Sequence, residues 1–120
     1  MISIYEKGKT IMYRFCSELY LGSTVKNIGY IKLKLRMNRH LPDVFLVMLC
    51  SGSDQLEIIN AEVLRQIYYR KRKNKVVGVA HLYPEAVEIV RCITEECVKA
   101  TGEADLKSYL AGRFDKKENK

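Results

Sequence analysis

The period of the hydrophobic positions changes several times along the chain, and each change marks an element. The first stretch reads as strand: Ile2 and Ile4, a turn over Glu6–Lys9 containing Gly8, then aromatic and apolar residues from Ile11 to Leu21. Apolar runs on both sides of a glycine turn predict a hairpin. Gly22, Ser23 and Thr24 end the run. Residues 25–39 carry two patterns at once. Ile31, Leu33, Leu35 and Met37 alternate with Lys32, Lys34 and Arg36 as in a strand, while Val25, Ile28, Ile31 and Leu35 share one side of a helix. The strong helix formers in this stretch, and the turn that precedes the next strand, favour helix.

Residues 43–50, DVFLVMLC, form a continuous apolar run of strand length after Pro42, which predicts a strand buried on both faces. Ser51–Asp54 is a turn, and residues 55–60 return as a second strand. Asn60 can cap a helix over 61–69 with Leu64, Ile67 and Tyr68 on its inner face. Residues 75–81 form another buried strand. Pro84 then opens the clearest element of the chain, with acids in its first turn, Ala86, Val90, Ile93, Cys97 and Ala100 at helical spacing, and Gly102 past its end. Asp105 caps a short helix over 105–111.

The order β-α-β-β-α-β-α matches a βαββαβ two-layer α/β (α+β) sandwich, ferredoxin-like, with an added C-terminal helix. Its sheet runs 4-1-3-2. Residues 1–112 are expected to form one α/β domain and 113–120 a disordered basic tail. Such an architecture hosts many functions and names none.

Composition narrows the classes. With 120 residues, 48% hydrophobic and 29% charged, the chain has the balance of a soluble globular domain rather than a disordered one. No window reaches the roughly 18 apolar residues of a membrane span, and the N-terminus MISIYEKGKT meets an acid and a lysine too early for a signal peptide. Cys16, Cys50, Cys92 and Cys97 form no C-x-x-C pair, and two histidines cannot complete a zinc site with them. Reduced thiols, a cytoplasmic address and no membrane, metal or cofactor are the expectation.

Catalytic patterns fail one by one. Neither G-x-G-x-x-G nor G-x-x-x-x-G-K-[ST] occurs. Cys50 before a Ser/Gly loop has the setting of a phosphatase cysteine, but the phosphate-binding arginine six positions on is replaced by Leu56. A Cys50–His81 dyad requires the ring within hydrogen-bond reach of the thiol, and a 4-1-3-2 sheet puts the two strands on opposite edges, roughly 14 Å apart. His81 then reads as a strand-end residue and His40 as a loop residue. Glu57, between Leu56 and Ile58 in a short strand, is the odd carboxylate, and alternation turns it toward solvent. The stretch DQLEIIN lacks the glycines and aromatics of an RNA-recognition motif.

What stands out is charge. The net charge is +7, and residues 26–40 hold Lys26, Lys32, Lys34, Arg36 and Arg39 without an acid. The stretch 66–75, QIYYRKRKNK, adds Arg70, Lys71, Arg72, Lys73 and Lys75, with Tyr68 and Tyr69 beside them, again without an acid. Residues 84–105 run the other way, with six acids against Arg91 and Lys99. Clustered cations attract a phosphate backbone. A cluster after a helix C-terminus, however, meets the negative end of the dipole and favours a diffuse contact.

The expectation is a non-catalytic binding module whose basic surface, Lys32, Lys34, Arg36, Arg39, Arg70, Lys71, Arg72 and Lys73, meets a polyanion such as nucleic acid or an acidic protein. Two alternatives stand beside it: a homo-oligomeric module pairing its acidic and basic faces, and a small enzyme uniting Cys50, His81 and Glu57.

Overall fold

Two apolar runs form the middle of the sheet, and everything else is arranged around them. The structure, a computed structural model, describes residues 13–37, 39–49, 55–65, 74–103 and 106–110. In chain order these form β1 (Tyr13–Leu21), α1 (Ile28–Arg36), β2 (Phe45–Leu49), β3 (Leu56–Asn60), a 3₁₀ turn (Val63–Arg65), β4 (Asn74–Ala80), α2 (Tyr83–Thr101) and α3 (Leu106–Leu110). The sheet order is β1-β4-β2-β3. β1 lies parallel to β4, while β2 is antiparallel to both β4 and β3.

This corrects the ferredoxin-like expectation in two respects. The strand order is not 4-1-3-2, because β4 inserts between β1 and β2. The helices also cover both faces, so the sheet is the middle of three layers. α1 packs Ile31 and Leu35 with Phe15, Leu46, Met48, Val76 and Val79. On the other face α2 and α3 bury Ala86, Ile89, Ile93, Cys97 and Leu110 with Val47, Leu49, Val77 and Ala80. The physical reason was present in the sequence. A strand with one solvated face alternates, whereas a strand covered on both faces is apolar throughout, and Leu46 to Leu49 and Val76 to Ala80 are apolar at every side-chain position and buried.

β4 carries a bulge. Val47 pairs with Gly78 and Met48 with Val76, so β4 has one residue more than β2 over this span. The extra residue sends two neighbours toward α2. Val77 packs there, and a Cβ at Gly78 would lie 2.9 Å from Ile89 Cγ2. Glycine is what lets α2 lie this close to the sheet.

The helices follow local rules. Asn27 caps α1, its side chain accepting from the Tyr30 amide at 3.2 Å. α2 starts with Pro84 and Glu85 in its first turn and ends at Gly102, whose φ of 80° is the left-handed conformation glycine adopts without cost. On its inner face Ile89 is buried and Ala100 is exposed, a rotation of the expected face toward its N-terminal half. Asn60 does cap, accepting from the Glu62 amide at 2.8 Å. Of the helix expected over 61–69, the described part is the 3₁₀ turn, with Leu64 buried.

The first arm and turn of the N-terminal hairpin, Cys50, the turn at 51–54, Ile67, Tyr68, Tyr69, the cations 70–73 and the tail 113–120 lie outside the described residues. Among the described residues no helix is long and apolar enough to cross a membrane.

Candidate anion-binding groove

The cations of residues 26–39 do not form one surface; α1 sorts them. At 100° per residue Ile31 and Leu35 face the sheet, Lys32 and Arg36 fall on one flank, and Lys34 falls on the other beside Tyr30. On the first flank the Lys32 ammonium and the Arg36 guanidinium each lie 5.0 Å from the centre of the Phe15 ring. Phe15 is buried, so these two long side chains cover the ring with their stems and charges. On the other flank the Lys34 ammonium is held 5.3 Å over the Tyr30 ring.

That second flank borders a groove of about 660 Å³ lined by Thr24, Lys26, Asn27, Tyr30, Ile31, Lys34, His40, Leu41, Pro42, Val44 and His81. Three pieces of chain build it: the loop leading into α1, the flank of α1, and the loop between α1 and β2, with His81 at the end of β4 closing one side. Among the described residues no carboxylate lines it. Tyr30 and Lys34 are one turn apart on α1, and Lys26 precedes its cap Asn27.

Both histidines line this groove, which the sequence pattern did not indicate. His81 Nδ1 lies 2.9 Å from the carbonyl oxygen of Asp43. A carbonyl only accepts, so Nδ1 carries the hydrogen, and the neutral ring's lone pair is on Nε2. Asp43 can aim its carbonyl this way because it adopts φ 61° just after Pro42, a conformation aspartate tolerates better than most residues. His40 Nδ1 lies 2.9 Å from Glu62 Oε1, and its side chain is 68% exposed.

The nearest carboxylates are engaged around the groove rather than in it. Glu62 accepts from the Leu41 amide as well as meeting His40. Glu85, on α2, accepts from Ser23 Oγ at 2.8 Å and Thr24 Oγ1 at 3.3 Å, which ties the loop before α1 to α2. The Gly22 amide adds a bond to the Val79 carbonyl at 2.8 Å. The wall of the groove is therefore anchored to the sheet and to α2.

Set against the expected site, Lys34 lies in the groove, Lys32 and Arg36 lie over Phe15, and Arg39 is exposed. Arg70, Lys71, Arg72 and Lys73 lie outside the described residues. Lys26, Tyr30, Asn27, His40 and His81 were missed. The i, i+4 spacing from Lys34 could have found Tyr30 once α1 was read as helix, but nothing local could have found the histidines.

Of the small-enzyme constellation, Cys50 lies outside the described residues, and Glu57 and His81 stand apart. Glu57 pairs with Met48, which pairs with Val76. Five residues along β4 and two strand spacings separate that level from His81, roughly 19 Å. Leu49 pairs with Lys75, about 20 Å along β4 from His81, so adjacent antiparallel strands place the end of β2 far from the end of β4. Among the described residues no group of three or more His, Cys, Asp or Glu side chains could hold a metal ion. Comparison of the chain with protein-family models, with curated proteins and with solved structures finds no match, so the geometry alone carries the functional reading.

Proposed function

We propose that the chain is a non-catalytic binding module whose groove beside α1 holds the phosphate backbone of a nucleic acid. One observation carries the reading: Lys26 and Lys34 line a single open groove, beside Asn27 and Tyr30, and among the described residues no carboxylate lines it. Phosphate contacts of this kind supply affinity without sequence choice. Tyr30, 52% exposed, offers an apolar ring at the groove edge while fixing the Lys34 ammonium. Arg39 and the cations 70–73 extend the positive field if they reach the same side.

The test is fluorescence anisotropy with labelled single-stranded RNA and DNA at low salt. Lys26→Glu with Lys34→Glu is expected to weaken binding at least tenfold. Removing both cations as Lys→Ala should lower the slope of log K against log salt by about 1.4, roughly 0.7 for each phosphate contact on a single strand. Lys32→Glu with Arg36→Glu, on the Phe15 flank, is expected to do less. Changing Arg70, Lys71, Arg72 and Lys73 together to Glu measures what the second segment adds. Absence of binding at low salt, or binding indifferent to Lys26 and Lys34, refutes the proposal.

A further inference from the structure

α1 has a second apolar side, and it points at solvent. Tyr30, Leu33 and Met37 are 52%, 56% and 51% exposed. At 100° per residue they fall within about 60° of arc, opposite Ile31 and Leu35. Single exposed apolar residues are ordinary, but a row at i, i+3, i+7 on the outer side of a nine-residue helix is the pattern of a helix that packs on both sides. The row sits in the segment 26–39, which holds five cations and no acid.

α2 has the complementary feature. Tyr83, Val87 and Val98 are 54%, 45% and 43% exposed and also share about 60° of arc. Phe45 extends this shoulder, its ring meeting Tyr83 edge-on at 5.8 Å between centroids. Glu88 and Glu95 stand beside it, 63% and 57% exposed, paired with Arg91. With Arg91 shared between them, Glu88 and Glu95 leave this flank one negative charge in excess. Exposed ion pairs like these are worth roughly 1 kcal/mol or less, so they can rearrange around an incoming cation.

The two rows belong to helices on opposite faces of one sheet. We infer that copies of this chain associate head to tail, the basic apolar side of α1 on one copy docking against the acidic apolar shoulder of α2 on the next. Because each contact uses two different patches on opposite sides of the molecule, every copy added leaves one patch of each kind open. The assembly is then an open chain or a ring rather than a closed dimer. A contact built on one short helix is at the small end of protein interfaces, and its charged flanks make it weaker at high salt.

Sedimentation velocity on the full chain without nucleic acid tests this independently of the groove. The wild-type mass is expected to grow past a dimer as concentration rises at low salt. Leu33→Glu with Met37→Glu blocks the α1 side, and Val87→Lys with Val98→Lys blocks the α2 side; each variant alone should remain monomeric. All four positions are exposed, so the folds should persist, which far-UV circular dichroism checks. Mixed one to one, the two variants should form a dimer and stop, because one good patch of each kind remains. Three results would each overturn the inference: a wild type that is monomeric throughout or stops at a dimer, a variant that still grows alone, or a mixture that stays monomeric.

Discussion

Replacing Gly78 with alanine adds one methyl group to the middle of β4 and sets two effects against each other. Alanine restricts the unfolded chain, which favours folding by about 0.4–1 kcal/mol where the native geometry accepts the methyl. Here it does not. A Cβ at Gly78 would lie 2.9 Å from Ile89 Cγ2, 3.1 Å from the Tyr20 carbonyl oxygen and 3.4 Å from Val47 Cβ. The Ile89 methyl is the end of a side chain and can turn aside. The Tyr20 oxygen belongs to the backbone of the neighbouring strand, at the position paired with Gly78, and Val47 is fully buried. Overfilling a packed core costs about 1–3 kcal/mol. The difference is a net loss of about 1–2 kcal/mol, or about 4 °C in Tm per kcal/mol at this chain length.

Urea unfolding followed by circular dichroism should show a lower midpoint with an unchanged slope. A cycle with Ile89→Ala identifies the clash. That change alone should cost about 2–5 kcal/mol, and the double variant should lose less than the sum by at least about 0.5 kcal/mol. If Gly78→Ala is as stable as wild type, or the two losses simply add, the packing of α2 against the bulge is not what requires glycine.

Two further outcomes follow from single side chains. The Tyr13 hydroxyl is buried and has no hydrogen-bond partner among the described residues, and burial pushes its ionisation well above the ordinary value of 10. Tyr13→Phe should therefore stabilise the protein, by up to about 1 kcal/mol. Because the folded phenol ionises later than the unfolded one, its contribution is complete below pH 10 and is lost as pH rises above it. The wild type should lose up to about 1.4 kcal/mol per pH unit more than the Phe variant in that range, which chemical denaturation at pH 9 to 11 measures. Cys92, half-buried, donates its S–H to Glu96 Oε2 at 3.4 Å, and that bond, helped by partial burial, raises the thiol above its usual range. Less thiolate means slow alkylation at pH 8. Glu96→Gln should speed iodoacetamide labelling of Cys92 several-fold, read by peptide mass spectrometry, and an unchanged rate would show that the carboxylate does not govern the thiol.

The contrast between α1 and the groove shows how far local pattern reaches. Val25, Ile28, Ile31 and Leu35 identified the inner side of α1, and that side packs as expected, with Ile31 and Leu35 fully buried. The same arithmetic separates Lys34 from Lys32 and Arg36, so half of the groove was legible once the segment was read as helix. The histidines were not. His40 and His81 are 41 positions apart in the chain, and their sharing one groove depends on where β4 enters the sheet.

The sequence by itself determined most of the elements and the core: where the four strands, α1 and α2 run, which side of each helix is apolar, and that β2 and β4 are buried strands. These are local properties, set by backbone geometry and by the period at which apolar side chains recur. Only the tertiary structure decided the strand order, the bulge that makes Gly78 necessary, and the company His81 keeps. Strand pairing joins segments distant in the chain, and several orders bury the same residues equally well. Which of them wins depends on close packing between side chains that no single stretch of sequence contains.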